Sequence, residues 1–174
     1  MGLGWSVSCE TARLDLRPSL SISRRVRHSV GFTLVELLIV VAIIMTIAAI
    51  AVPNLMAALD YAKTARAVAD IHALGNEILS YDIVNDKFPN TLADIGFGSK
   101  LDPWGNPYQY LNFANANGNG KMRKDRFLVP INTNFDLYSM GKDGSSVSPV
   151  TAKASHDDII WANDGSFVGL ASDF

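Results

Sequence analysis

Length, composition and charge set the first limits on this chain of 174 residues. It is 48% hydrophobic, which is enough for one globular domain and a separate apolar segment. Residues 1–31 carry a net charge of +3, whereas residues 32–174 carry −5. A chain that loses its basic part becomes acidic, which argues against a nucleic-acid partner held by bulk electrostatics. The single cysteine, Cys9, lies in the basic part, so residues 32–174 form no internal disulfide.

An apolar run covers residues 32–52, in which only Thr33, Glu36 and Thr46 are polar. A helix of this length spans roughly 30 Å, the thickness of the hydrocarbon core of a bilayer. The basic residues shortly before it predict that this end faces the cytoplasm and that the C-terminal part faces the opposite side; they are Arg24, Arg25 and Arg27. No convincing signal-peptidase motif follows the run, so a plain single-span anchor is the simplest alternative.

Glu36 is the unusual residue of this run. An unpaired carboxylate in a membrane helix costs about 2.5 to 3.5 kcal/mol, so an intramembrane acid usually has a partner. A peptidase that cuts between Gly31 and Phe32 would create a new ammonium on Phe32. The ammonium of a neighbouring helix, shifted along the axis, could pair with Glu36 and fix the register between subunits.

The run G-FTLVELLIVVAII, followed by Pro53, resembles the processing signal of type IV prepilins and of the pseudopilins of type II secretion systems. This resemblance implies cleavage between Gly31 and Phe32 by a prepilin peptidase, N-methylation of Phe32 and an assembly role for Glu36. The leader is longer than in many members of the family. Its first part is either an extension or a misassigned start.

Helical periodicity continues beyond Pro53. Apolar residues recur at a spacing of three and four positions and include Leu55, Ala58, Ala62, Ala65, Ile71, Leu74, Ile78 and Tyr81. The pattern predicts one helix over residues 33–84, weakened near Pro53 because proline lacks a backbone donor. Its first half would lie in a membrane or filament, and its second half would pack on a sheet. His72, a lone histidine on this helix, is expected to be structural or exposed.

Strand signals follow the helix. Alternation at Tyr108 and Tyr110 and apolar runs at residues 127–131 and 135–138 predict strands, and residues 91–95 predict a short helical turn. Residues 115–125 are rich in Asn and Gly and predict an exposed loop. The basic cluster in and after it is expected to be a solvated face, with an intersubunit or anionic contact as the alternative; it comprises Lys121, Arg123, Lys124 and Arg126.

The segments DPWGNPYQY and DLYSMGKDG are similar to the head of the major pseudopilins of type II secretion systems. The resemblance implies an α+β pilin-like fold, with a long N-terminal helix, transmembrane in its first half, packed on a small antiparallel sheet. The expected organisation is a cleaved leader at residues 1–31, a membrane or filament-core helix at 32–53 and a periplasmic head at 54–174.

Aspartates and turn residues concentrate in residues 141–146, 156–159 and 163–165. Composition alone leaves ordinary Asp-Gly turns as the commoner explanation. The family resemblance implies a bound calcium ion, which takes carboxylate and carbonyl oxygens. The matching ligands are Asp143, Asp158 and the carbonyl of Met140, with Asp157 and Ser145 as weaker candidates. The downstream segment departs from the family pattern.

The function implied by the resemblance is mechanical. Subunits would wait in the inner membrane, be cleaved and methylated, and polymerise with copies of themselves into a periplasmic fibre that drives protein export. Expected partners are the prepilin peptidase, minor pseudopilins and an inner-membrane assembly platform. A surface type IV pilin for adhesion or motility is the main alternative, and a calcium-binding module that never polymerises is another.

Catalysis is not expected. His156, Asp157 and one of several serines could form a hydrolase triad on paper. The sequence has no nucleophile elbow, phosphate-binding loop, His-Glu-x-x-His motif or cysteine pair to support it.

Overall fold

The computed structural model describes residues 31–174, so the predicted leader, apart from Gly31, lies outside the described residues. The main elements are a helix and four strands: α1 (Leu34–Asn85), β1 (Gln109–Asn112), β2 (Phe135–Ser139), β3 (Ile159–Ala162) and β4 (Phe167–Leu170). The strands pair antiparallel in the order β1-β2-β3-β4. This confirms the predicted α+β arrangement of one long helix and a small antiparallel sheet.

Helix α1 begins and ends within one residue of the prediction and contains Pro53 without ending there. The chain divides into two units within this helix, with the boundary after Ile43. Every large apolar side chain between residues 34 and 59 is exposed in the single chain. The first half of α1 therefore carries a long apolar surface that is exposed in the single chain.

The second half of α1 buries one face in the core of the head. The buried residues Ala67, Ile71, Leu74, Gly75 and Ile78 follow the three-and-four spacing of a helix face. All of these except Gly75 pack in one cluster with alternate residues of two strands, namely Phe135 and Leu137 of β2 and Ile159 and Trp161 of β3. The predicted core positions Ile71, Leu74 and Ile78 are confirmed, whereas Tyr81 is half-buried.

The opposite face of the sheet carries a second apolar cluster. Ile160 and Ala162 of β3 pack there with Ile131, Val150 and Ala171 from loops and the C-terminal segment. All four residues of β3 are buried. The central strand is therefore covered by α1 on one side and by loops on the other.

The strand predicted at residues 127–131 is wrong. Asp125 and Leu128 exchange backbone hydrogen bonds with N to O distances of 3.0 and 2.6 Å, which closes a tight turn. Phe127 lies in this turn and is fully exposed. Pro130 has no N–H to offer a neighbouring strand. The run is therefore a loop, exposed at Phe127 and buried at Ile131, which packs in the second apolar cluster.

Other strand predictions had mixed outcomes. The strand at residues 135–138 is confirmed as part of β2, and Tyr110 lies in β1. The short helical turn is confirmed at Leu92–Ile95. Both β3 and β4 were missed because their surroundings are rich in aspartate and turn residues. Neither strand shows the clear alternation that marks a half-buried strand.

Gly75 lies directly against the ring of Trp161, and a Cβ at this position would overlap the ring. The same indole stacks on Phe135, with ring centroids 5.9 Å apart. The missing side chain of Gly75 thus makes room for the largest residue of the helix-to-sheet core.

We expect Gly75→Ala to lower the free energy of unfolding by about 1 to 3 kcal/mol, because overpacking outweighs the roughly 1 kcal/mol that alanine contributes in a helix interior. Asn76→Ala is the matched control, since Asn76 is the next residue of α1 and is exposed. Denaturant unfolding of the detergent-solubilised chain measures both. A Gly75→Ala variant as stable as the control would contradict the packing argument.

Candidate functional site

Glu36 lies in the first turn of α1, where it forms a capping box with Thr33. The N–H and the hydroxyl of Thr33 donate to Oε2 of Glu36 at 2.9 and 2.8 Å. The N–H of Glu36 donates to Oγ1 of Thr33 at 3.2 Å. These reciprocal bonds satisfy donors that a helix leaves unpaired at its N-terminus. The carboxylate therefore has a local partner in its own chain.

This local partner was missed in the sequence, although Thr-Leu-Val-Glu fits the Ser/Thr-x-x-Glu capping signature. Phe32 lies directly before the capping threonine and is 85% exposed. Cleavage after Gly31 and the assembly roles of Glu36 and Pro53 stay predictions. By length and composition α1 is able to cross a membrane.

The two head segments that carry the family resemblance lie against each other. Asp102 accepts hydrogen bonds from the N–H groups of Trp104 and Asn106 through Oδ1, and from the Ser139 hydroxyl through Oδ2 at 2.6 Å. The Ser139 hydroxyl accepts from the N–H of Gly141. The Asn106 side chain donates to the Gly141 carbonyl at 3.0 Å. The turn after Asp102 therefore fixes the start of the acidic C-terminal loop.

Four of the five predicted calcium ligands lie in or beside a single turn of this loop. Oδ2 of Asp157 accepts the N–H of Asp143 at 2.9 Å, and Oδ1 of Asp143 accepts the N–H of Ser145 at 2.8 Å. Gly141, which follows Met140, has a φ of 64°, and a Cβ there would overlap the Asp157 carbonyl. The structure thus brings the two segments that were predicted to share an ion into contact. A direct hydrogen bond between Asp143 and Asp157 joins them.

The fifth predicted ligand, Asp158, is fully buried and pairs with Arg123. Its Oδ2 accepts hydrogen bonds from Nη2 of Arg123 at 2.5 Å and from the Ser146 hydroxyl at 2.6 Å. Nη1 of Arg123 donates to the same Ser146 oxygen at 2.6 Å. The Arg123 guanidinium carbon lies 4.3 Å from the centroid of the Tyr138 ring. Burial raises the pKa of the Asp158 carboxyl, against the opposing effects of Ser146 and Arg123.

As arranged, these residues do not fit a calcium ion, which takes six to eight oxygen ligands. Within residues 31–174, no three His, Cys, Asp or Glu side chains lie close enough together to hold a metal ion between them. A divalent cation bound at Asp158 would be repelled by the Arg123 guanidinium, because that positive charge already contacts the Asp158 carboxylate. The calcium site stays a prediction, and the position of Arg123 speaks against it.

Arg123 itself was missed as a buried residue. The solvated face predicted for the basic cluster fits the exposed Lys121 and Arg126, but it is wrong for Arg123, which is 5% exposed. The N–H of Arg123 donates to Oδ2 of the buried Asp136 at 2.6 Å, and its carbonyl accepts from the N–H of Ile131 at 3.1 Å. No local signal in the sequence separates Arg123 from its basic neighbours.

The two histidines within the described residues take ordinary positions. His72 is exposed, as expected, with its ring centroid 6.4 Å from that of Trp161. A ring nitrogen of His156 lies 3.1 Å from the Thr151 carbonyl oxygen. The Asp157 carboxylate accepts from the backbone of Asp143. These contacts give His156 and Asp157 separate partners.

Comparison with known proteins identifies clear relatives, although no family model matches the chain. It is 34% identical over 139 residues to type II secretion system core protein G of Pseudomonas aeruginosa, covering 68% of this chain and 87% of that protein. The protein of the same name from Aeromonas hydrophila is 33% identical over 141 residues, covering 69% and 87%. That of Vibrio cholerae is 34% identical over 141 residues, covering 70% and 86%. With its long apolar helix on a small antiparallel sheet, the chain belongs to the type II secretion system core protein G family, the major pseudopilins.

Proposed function

We propose that this chain is the structural subunit of a type II secretion pseudopilus, a helical periplasmic fibre whose growth drives protein export. The observation that carries the proposal is α1, whose apolar, exposed first half continues directly into a second half that forms the core of the head. The names of the relatives support the assignment. The role is mechanical and needs no catalytic group on this chain.

The exposed apolar half of α1 needs a cover, because contiguous apolar surface of this extent does not stay in water. Before assembly, lipid covers it, with the N-terminus in the cytoplasm and the head in the periplasm. After assembly, the helices of neighbouring copies cover it. Residues 32–53 thus act first as a membrane anchor and then as the core of the filament, and residues 54–174 form the head.

Processing connects the two states. The prepilin peptidase cuts between Gly31 and Phe32, removes the basic leader of residues 1–31 and methylates the new amino group of Phe32. The chain is in this sense a substrate of an enzyme. Minor pseudopilins and an inner-membrane platform are the proposed partners in assembly, and they act on the cleaved chain.

Deletion of the gene tests the function. We expect exported proteins to accumulate in the periplasm while surface pili and adhesion are unchanged, because the fibre serves export. Secreted protein and surface fibres are both measured, and a plasmid copy of the gene should restore export. Normal export together with loss of surface fibres would overturn the proposal in favour of a type IV pilus.

Substitutions at the start of α1 separate the charge of Glu36 from its capping role. Glu36→Gln keeps a side chain able to cap the helix but has no charge to pair with the Phe32 ammonium of a neighbour. We expect normal cleavage and at least about tenfold less fibre, because a charge-assisted bond is lost. Glu36→Ala should behave in the same way.

Thr33→Ala is the matched control for these variants, since it removes the capping hydroxyl and keeps the carboxylate. It should be cleaved and assembled at close to the wild-type level. The mass of the purified chain reports cleavage, and the fraction of cleaved chain in pelleted fibres reports assembly. Wild-type assembly by Glu36→Gln, with a defect in Thr33→Ala, would show that capping is the function of this pair.

A further inference from the structure

We propose that Arg123 is a built-in cation that takes the structural place of a calcium ion in the C-terminal loop, so that the stability of the head does not depend on calcium. The inference goes beyond the proposed function and does not rest on it. It concerns which positive charge holds the loop that leads into β3.

The Arg123 guanidinium joins three parts of the chain that are distant in sequence. It bonds to Asp158, 35 residues further along, and to Ser146 in the acidic loop, 23 residues along. Its flat face lies over the ring of Tyr138 in β2. A multivalent cation joins loop segments in the same way, by binding oxygens from several of them. The planar guanidinium does so with directed N–H donors.

The backbone around Arg123 holds this side chain in place. Its N–H is bound to Asp136, and its carbonyl receives the N–H of Ile131. The next carbonyl, that of Lys124, accepts the N–H of Val150 at 2.9 Å. The arginine therefore enters the loop from a segment fixed by hydrogen bonds, and its planar guanidinium loses little side-chain freedom for each hydrogen bond that it forms.

The remaining acidic residues are arranged for a loop without an ion. Asp143 is exposed and uses its carboxylate to cap its own turn at Ser145. Asp157 binds the backbone of that turn. Asp158 is fully buried, so its carboxylate requires a positive charge nearby, and Arg123 supplies that charge. Oδ1 of Asp158 has no hydrogen-bond partner within the described residues. It is therefore the oxygen of this ion pair at which calcium would compete with Arg123, and the first experiment tests for that competition.

The first experiment measures the melting temperature of the full chain in detergent micelles, in millimolar calcium chloride and in excess EGTA. The two values should agree within about 1 °C, because a ligand that does not bind the folded state does not stabilise it. A melting temperature that rises with calcium and falls with EGTA would overturn the proposal.

The second experiment removes the proposed cation. Arg123→Gln should lower the melting temperature by about 10 °C, because it leaves the buried Asp158 carboxylate without its partner. Lys121→Gln is the matched control, since it removes one exposed charge from the same loop and should change the melting temperature by less than about 2 °C. Equal melting temperatures for the two variants would contradict the role of Arg123.

A double variant keeps the test valid if Arg123→Gln does not fold. Arg123→Met combined with Asp158→Leu removes both charges and replaces them with apolar side chains, which buried ion pairs often tolerate. It should fold, and it should melt well above Arg123→Gln where that variant folds. A double variant no more stable than Arg123→Gln, or one that also fails to fold, would show that charge compensation is not what Arg123 provides.

Discussion

The contact between one face of α1 and the sheet, centred on Trp161, is the interaction on which the rest of the head depends. Trp161 fills the space left by Gly75 and stacks on Phe135, which fixes the helix against β2 and β3. The same strand β3 is buried on its other face, where loops cover it. Asp158 directly precedes this strand, so the strand that holds the helix also positions the ion pair with Arg123. The two faces of the sheet are linked through a single element.

The fold was predictable where a local period reports burial. The apolar spacing placed the ends of α1 within one residue and identified Ile71, Leu74 and Ile78 as core. The central strand β3 was missed because a strand buried on both faces does not alternate. The run at residues 127–131 has strand composition, but composition does not report whether a neighbouring strand is present. There Phe127 is exposed in a tight turn.

The candidate site likewise contains one feature with a local sequence signal and one that depends on residues far apart in the sequence. The capping box of Thr33 and Glu36 has a sequence signature within four residues, so it could have been predicted from the sequence. The burial of Arg123 depends on Asp158, 35 residues away, and local patterns carry no information on such partners. The resemblance to pseudopilins pointed to the acidic residues of the C-terminal loop as calcium ligands, and that role stays a prediction. It said nothing about Arg123, which lies in the Asn- and Gly-rich segment at residues 115–125.

The exposed apolar half of α1 has a consequence for the energetics of the proposed fibre. Moving this segment from lipid to a bundle of like helices exchanges one apolar environment for another, so the hydrophobic effect contributes little to the net change. Close packing of helices and polar contacts must then decide the direction of the exchange. A fibre built on such a nearly balanced transfer would grow when work is supplied and shorten when it is withdrawn, which suits a piston better than a permanent scaffold.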